Sequence, residues 1–303
     1  MGEATVDSAK HHGQAQERTE MIDKFTIIIG ASKCGTTSLF NHLAEHPEIC
    51  ASTIKEPDFF ASEERFARGR GWYESLWQWD PTRHKTALEA SPIYSVYPVY
   101  TSAARRMAEM GASYKLIYIV RPQLEQIASN YAHALSMGSA WTDPDSGWWS
   151  GHRINRFFLC CASYAQQLDE YRRHFASDQI LVLTLDDLRR DPAGLLRRAC
   201  RFIGVEESFR FSNLSTVWNP TEGRILPPPG WREIRRLSRL RGLYRRLPNG
   251  LRAKLYSIVG TRATGPLELT REEKEYVLAN LAHDIVRLRE EYGLVFPALD
   301  QHA

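Results

Sequence analysis

The chain has 303 residues, a formal net charge of +3 at pH 7, 43% hydrophobic and 25% charged residues, the balance of an ordinary soluble protein with enough chain for one large α/β domain or two small ones. Its five cysteines, Cys34, Cys50, Cys160, Cys161 and Cys200, are odd in number and lack any CxxC spacing, which argues against a disulfide framework and for reduced thiols. No apolar run reaches the length of a membrane span and the N-terminus has no signal-peptide h-region, so the expected compartment is the cytoplasm.

Residues Met1 to Asp23 are polar and show no period, which reads as a disordered leader ahead of a single domain over 24–303. Phe25 to Ile29 is a run of apolar and β-branched residues closed by Gly30, the pattern of a strand buried on both faces of a parallel sheet. A small-residue loop follows, Gly30-Ala31-Ser32-Lys33-Cys34-Gly35-Thr36-Thr37. Its glycines let backbone approach a ligand, and the free N–H groups that open the next helix favour an anion there. Lys33 adds a full charge, and Thr36, Thr37 and Ser38 add hydroxyl donors. The loop is not a Walker A motif, because Lys33 precedes Gly35 instead of following it, which argues against an ATPase or kinase. Cys34 is read as a small filler, although a helix N-terminus would lower the pKa of a thiol facing it.

The helix from Gly35 to Glu45 ends before Pro47, and a short strand forms around Ile49. His42 and His46 stand four apart, yet no HExxH pattern accompanies them, and no metal site is expected. Lys55-Glu56-Pro57-Asp58-Phe59-Phe60 runs a charged pair into two aromatics that anchor a short helix, and Gly71 to Trp77 opens another. A strand over Lys85 to Glu89 leads into Glu89-Ala90-Ser91-Pro92-Ile93-Tyr94, and a helix from Tyr97 to Met110 precedes a second buried strand, Tyr114 to Val120. Arg121-Pro122 then opens a helix to Met137 whose apolar stripe is Ile127, Tyr131 and Leu135.

Trp141 to Gly151 holds three tryptophans, Trp141, Trp148 and Trp149, and reads as a lid or acceptor-binding loop or as a locally packed one. A long helix over Arg153 to Phe175, a strand over Ile180 to Leu185, a helix starting at Asp186-Asp187 and a helix over Pro192 to Ile203 follow. Nine Arg or Lys residues fall between Trp231 and Lys254, among Ile234, Leu237, Leu240, Leu243 or Tyr244, and Leu247 spaced three to four apart. The segment reads as a basic amphipathic helix suited to an anionic acceptor, nucleic acid or a membrane surface, or simply as a solvated face packed on the domain. The last helix, Thr270 to Tyr292, opens on a capping box. Strands alternating with helices at this spacing imply a doubly wound, largely parallel sheet flanked by helices, with a helical C-terminal part over 231–303. Ligands of such sheets sit at the carboxyl ends of the strands, where both Gly30 and Arg121 stand.

The segments GASKCGTTSLFNHLAEHPEI, KEPDFF, GWYESLW, EASPIY and IVR with Ser129 eight residues beyond Arg121 occur in one order. Together they resemble the sulfotransferases that use 3′-phosphoadenosine 5′-phosphosulfate (PAPS), closest to the glycosaminoglycan and bacterial branches, over about Phe25 to Arg224. The resemblance implies a P-loop-like fold in which Ser32, Lys33, Cys34, Gly35, Thr36, Thr37 and Ser38 hold the 5′-phosphosulfate. It implies that Arg121 and Ser129 hold the 3′-phosphate, that the loop from Asn219 through Gly223 and Arg224 closes over the donor, and that Glu56 is the general base. The implied products are the bisphosphate PAP and a sulfated hydroxyl on a carbohydrate, lipid or natural-product acceptor. No nucleic-acid partner is expected, and peripheral membrane contact through 231–254 and the oligomeric state stay open.

The residue types suit this chemistry. A lysine beside the bridging oxygen stabilises charge that develops on the leaving phosphate. A carboxylate in reach of the attacking hydroxyl takes its proton, and the neighbouring Phe59 and Phe60 would shield Glu56 while Lys55 pairs with it. No metal is demanded, because a sulfuryl group carries less charge than a phosphoryl group. The resembling family usually places Asn or Asp after the strand-end arginine, whereas Pro122 follows Arg121 here. Other roles stand beside these: Arg121 as a structural ion-pair partner, Glu56 as a surface partner of lysine, and the whole chain as a nucleotide-dependent phosphotransferase or a non-catalytic nucleotide- or membrane-binding protein.

Overall fold

The structure is a computed structural model that describes residues 21–136, 153–216, 225–226, 261–262 and 267–296. Gly223, Arg224, the tryptophans of 141–151, the basic segment 231–254 and residues 1–20 of the expected leader lie outside the described residues.

Five strands form one parallel sheet: β1 (Lys24–Gly30), β2 (Ile49–Ala51), β3 (Thr86–Ala90), β4 (Ser113–Val120) and β5 (Ile180–Thr184), in the order β2-β3-β1-β4-β5. The central strands are apolar on both faces, as a parallel sheet covered by helices requires. Ile27, Ile28 and Ile29 of β1 and Leu116 to Val120 of β4 are each 0% exposed. Register is set by pairs such as Phe25 with Ala87 and with Tyr114. Inside the sheet the hydroxyls of Thr26 and Thr86 satisfy each other at 2.9 Å, which removes the cost of burying them.

Helix α1 (Thr36–Leu43) follows β1, and the short α2 (Glu63–Phe66) and α3 (Gly69–Glu74) precede β3. Then come α4 (Ala103–Met110), α5 (Gln123–Ser136), α6 (Arg156–Ala162), α7 (Tyr164–Arg172), α8 (Leu185–Arg190), α9 (Pro192–Ile203) and α10 (Arg271–Tyr292). Helix α1 packs on α9, α5 on α6, and α7 on α10. A two-residue antiparallel pairing joins Ile225–Leu226 to Thr261–Arg262.

The chain leaves β1 toward β2 on one side of the sheet and leaves β4 toward β5 on the other. Neighbouring strands whose connections depart in opposite directions open a crevice at their carboxyl ends, the general binding position in open α/β sheets. Here the crevice lies between β1 and β4.

Two helices differ from the pattern expected from sequence. The helix expected from Tyr97 begins only at Ala103. The carboxamide of Gln167 accepts from the Tyr97 N–H at 2.7 Å and donates to its carbonyl at 2.9 Å, so that backbone is committed elsewhere, and Pro98 offers no N–H. The single helix expected over Arg153 to Phe175 is two, broken at Ser163 (φ −80°, ψ 72°), whose hydroxyl donates to the Leu159 carbonyl at 2.9 Å. That serine competes with the helix ladder for an acceptor.

Candidate active site

The loop after β1 is tied down through its backbone. The Ala31 N–H donates to Ile119 O at 2.7 Å, Gln126 Nε2 donates to Ser32 O at 3.0 Å, and Arg121 Nη1 donates to Lys33 O at 3.3 Å. With its Ala31 N–H held by β4 and its carbonyls by Arg121 and by Gln126 of α5, the loop leads into the start of α1 at the crevice. Gly35, the residue ahead of that helix, has φ 91°, and a Cβ there would lie 2.7 Å from Leu185 Cδ1. The left-handed φ is what favours glycine, and an added Cβ would also push on the tip of the Leu185 side chain. A Cβ at Gly30 would meet Ser95 Oγ at 1.9 Å, which is why the strand ends on glycine as well.

A cavity of about 510 Å³ opens at this crevice, within the size range of small-molecule sites. Ser32, Lys33, Gly35, Thr36, Thr37 and Ser38 line it from the loop and α1, and Arg121 and Ser129 line it from the end of β4 and from α5. Lys55 and Glu56 line it from the segment after β2. The residues implied for the two ends of the donor thus face one space. Lys33, Lys55, Arg121 and Arg189 bring positive charge to the lining, against Glu56 alone on the acidic side among the described residues.

Arg121 is 12% exposed in its side chain, pairs with Glu125 at 3.7 Å, donates to the Glu125 carbonyl and keeps a buried Nε with no hydrogen-bond partner. It is both a strut of the loop, through Lys33 O, and a donor with hydrogen-bonding capacity in reserve. A buried guanidinium N–H without an acceptor is costly unless a ligand supplies one. An anionic oxygen at this position meets that need, so the cavity fits a phosphate-bearing ligand.

Lys33 has φ 64° and Glu56 φ 61°, so both candidate catalytic side chains stand on left-handed backbone that non-glycine residues seldom adopt. Around Glu56 the turn is held by Arg65, which donates to the carbonyls of Glu56 and Pro57 and to Asp58 Oδ2. The Glu56 carboxylate is 46% exposed and ion-paired with Lys55. Phe59 and Phe60 are 1% and 0% exposed and belong to the core, so the aromatic shielding expected for Glu56 is absent. Phe59 instead stacks on Tyr73 and Phe60 meets the same ring edge-on, so the two anchor the segment from below.

Cys34 departs from the reading that groups it with the donor contacts. It does not line the cavity, is 0% exposed, and its N–H donates to Ala31 O at 3.2 Å. Burial pushes its thiol up to about 11, with Arg121 and the Tyr164 hydroxyl opposing, so the site does not activate it.

Sequence reasoning assigned no role here to His42, His133, Arg189, Leu185 or Leu188, all of which line the cavity. The signal for His133 was its spacing of one turn from Ser129. His42 is 2% exposed, and burial lowers its pKa against the opposing charge of Glu45 at 3.9 Å. The other histidine of that pair, His46, faces away from it, accepting from the Glu48 N–H at 3.1 Å and bonding Glu206 O at 2.9 Å. Asp186 and Asp187 serve the first turn of α8 and pair with Arg189 and Arg190.

Comparison with known proteins agrees with this architecture. A model of the sulfotransferase domain matches residues 23–219, more than half of the chain. Heparan sulfate glucosamine 3-O-sulfotransferase 3B1 of Mus musculus is 30% identical over 192 residues, 59% of this chain and 46% of that protein. Heparan sulfate glucosamine 3-O-sulfotransferase 6 of Homo sapiens is 31% identical over 191 residues, 59% of this chain and 52% of that protein. The chain therefore spans about half the length of the curated relatives it matches. A solved sulfotransferase from Alicyclobacillus acidocaldarius superposes with a TM-score of 0.62 over 91% of this chain and 98% of that one at 20% identity, and so shares its fold. On the matched domain, the parallel sheet and the loop after its first strand, the chain belongs to the sulfotransferase domain family.

Proposed function

We propose that the chain transfers a sulfuryl group from PAPS to a hydroxyl of a glycan acceptor, leaving PAP. The observation that carries this reading is that Lys33 after β1, Arg121 after β4 and Glu56 after β2 line one cavity of about 510 Å³. An anion with two separated phosphate centres suits a space with cations at two strand ends. The acceptor class rests on the relatives that carry heparan sulfate in their names; lipid and natural-product hydroxyls are outcomes of an acceptor panel.

PAPS supplies a sulfuryl group on a phosphate leaving group. The N–H groups and hydroxyls of the loop and α1 hold the 5′ end, and Arg121 and Ser129 hold the 3′-phosphate. Glu56 accepts the proton of the acceptor hydroxyl as its oxygen bonds to sulfur, and Lys33 stabilises the negative charge that gathers on the departing phosphate oxygen. The Lys55 ammonium pairs with the Glu56 carboxylate, and both residues line the cavity.

The test combines binding with turnover. Glu56→Gln should cut kcat by roughly 10²–10⁴ while PAP affinity stays at the wild-type value, because the base acts on the acceptor and not on the nucleotide. Lys33→Ala should lose about 10²-fold or more in kcat. PAP should raise the thermal midpoint of the wild type saturably. Wild-type turnover in Glu56→Gln, with de-sulfated heparan sulfate and PAPS, would remove the assigned base; Mg²⁺-dependent ATP turnover would replace the reading with a phosphotransferase.

A further inference from the structure

The interior side of the anion loop is held by a chain of contacts that begins on the last helix. Helix α7 starts abruptly after Ser163, whose own hydroxyl is spent on Leu159 O and does not cap it. The N–H groups of its first turn are met from another element. The Asp284 carboxylate, in the middle of α10, accepts from the Ala165 N–H at 2.8 and 3.2 Å and from the Gln166 N–H at 3.3 Å. It does the work of an N-cap from a different helix. One turn further along α10, Arg287 grips Asp169 of α7 with two hydrogen bonds of 2.7 and 2.8 Å. This bidentate pair fixes how the two helices lie together.

The residue immediately before Ala165 is Tyr164, 0% exposed, with its ring edge-on to Tyr118 of β4 at 5.9 Å between centroids. Its hydroxyl lies 3.7 Å from Cys34 Sγ. The Cys34 thiol donates its proton to Ser32 O at 3.6 Å, which leaves the sulfur as acceptor and the tyrosine as donor. The same Ser32 carbonyl receives Gln126 Nε2. The backbone of the loop is thus braced from α5 on one side and, through Cys34, from Tyr164 on the other.

Resting on the donor-site reading above, we infer that Asp284 and Tyr164 are positioning residues for the anion loop: Asp284 caps α7 and thereby holds the Tyr164 hydroxyl on Cys34. Neither lines the cavity. The last helix, which follows the matched domain in the chain, is on this account part of what shapes the donor site.

The test uses the full-length protein and two readouts. Without ligand, amide hydrogen exchange is measured over residues 30–38 and over 164–167. Asp284→Ala should speed exchange in both segments, by about fivefold for the loss of hydrogen bonds of this kind. Tyr164→Phe should speed it in the loop alone. Asp284→Asn keeps an acceptor oxygen in the same place and should restore most of the protection. With PAP as probe, Asp284→Ala and Tyr164→Phe should each raise Kd by about the same factor, and the double variant should do no worse than Asp284→Ala, as expected for two members of one chain of contacts. Faster exchange at 164–167 with an unchanged loop overturns the inference, and so does a Tyr164→Phe protein with wild-type loop exchange. A wild-type protein that binds no PAP sinks the donor reading instead, and the exchange experiment still decides the coupling.

Discussion

At the scale of single residues, the site is built where side-chain identity is constrained by backbone geometry. Lys33 and Glu56 occupy left-handed backbone at φ 64° and 61°, and Gly35 stands at φ 91°, where an added methyl group would push on the tip of Leu185. Gly35→Ala should therefore be destabilising by about 1–3 kcal/mol from strain at positive φ, with a further loss of PAP affinity as the start of α1 is displaced. Denaturant midpoints and calorimetric titration with PAP would measure the two effects, and a wild-type midpoint would show that the loop relaxes without cost. Cys34 gives the opposite lesson. Its neighbours in sequence belong to the anion site, yet its side chain lies in the core, and the lowered pKa open to a thiol at a helix start becomes a raised one because desolvation outweighs the nearby cations.

At the scale of elements, the helices with complete local signals formed where the sequence placed them. Helix α10 opens on Thr270, whose hydroxyl accepts from the Glu273 N–H at 3.2 Å while the Glu273 carboxylate returns a bond to the Thr270 N–H at 2.8 Å. Helix α9 opens on Asp191, which accepts from Gly194 N at 2.9 Å, and closes on the left-handed Gly204. Glu273 has a second task, pairing with Arg153 beside the start of α6. Thr270→Ala should cost about 1 kcal/mol, seen as a fall in thermal midpoint of roughly 2–4 °C. An unchanged midpoint would mean that the Arg153 pairing alone sets the start of the helix. Where an element depended on a distant partner, its ends moved. The Gln167 clamp on Tyr97 shortened α4, and Ser163 split α6 from α7, whose new first turn is capped by Asp284 from α10.

At the scale of the whole molecule, the parallel sheet has an acid at its heart. Glu89, in β3, is 0% exposed, and neither carboxylate oxygen has a donor in hydrogen-bond geometry. Burial pushes its pKa from 4.5 up to about 8, with the nearby hydroxyls of Tyr73 and Tyr94 pulling the other way. The folded chain keeps this proton up to about pH 8 whereas the unfolded chain releases it near pH 4.5. Between those values the unfolded state binds fewer protons, so stability contributed by the protonated form is full below pH 4.5 and is lost as pH rises to about 8. The slope from this group reaches at most about 1.4 kcal/mol per pH unit. Glu89→Gln should flatten that part of the stability profile and leave the variant ahead of the wild type on the alkaline side. Urea unfolding at several pH values is the measurement, and parallel profiles for the two proteins would show that Glu89 finds a donor when folded.

The sequence by itself determined the strands, their parallel order of appearance, the anion loop with its lysine, and the family, because these depend on apolar runs, glycine positions and motif spacing that are written locally. Local order also sufficed to bring Lys33 and Arg121 to the same end of the sheet, since both follow strands of one direction. Only the tertiary structure decided that β1 and β4 are neighbours with connections departing in opposite directions, which is what makes their two ends one crevice. It also decided that Cys34 faces the core, that Phe59 and Phe60 leave Glu56 open, and that Asp284 caps a helix more than a hundred residues earlier in the chain. Each of these turns on which surface a side chain meets after packing, a choice made by burial and by partners far away in sequence.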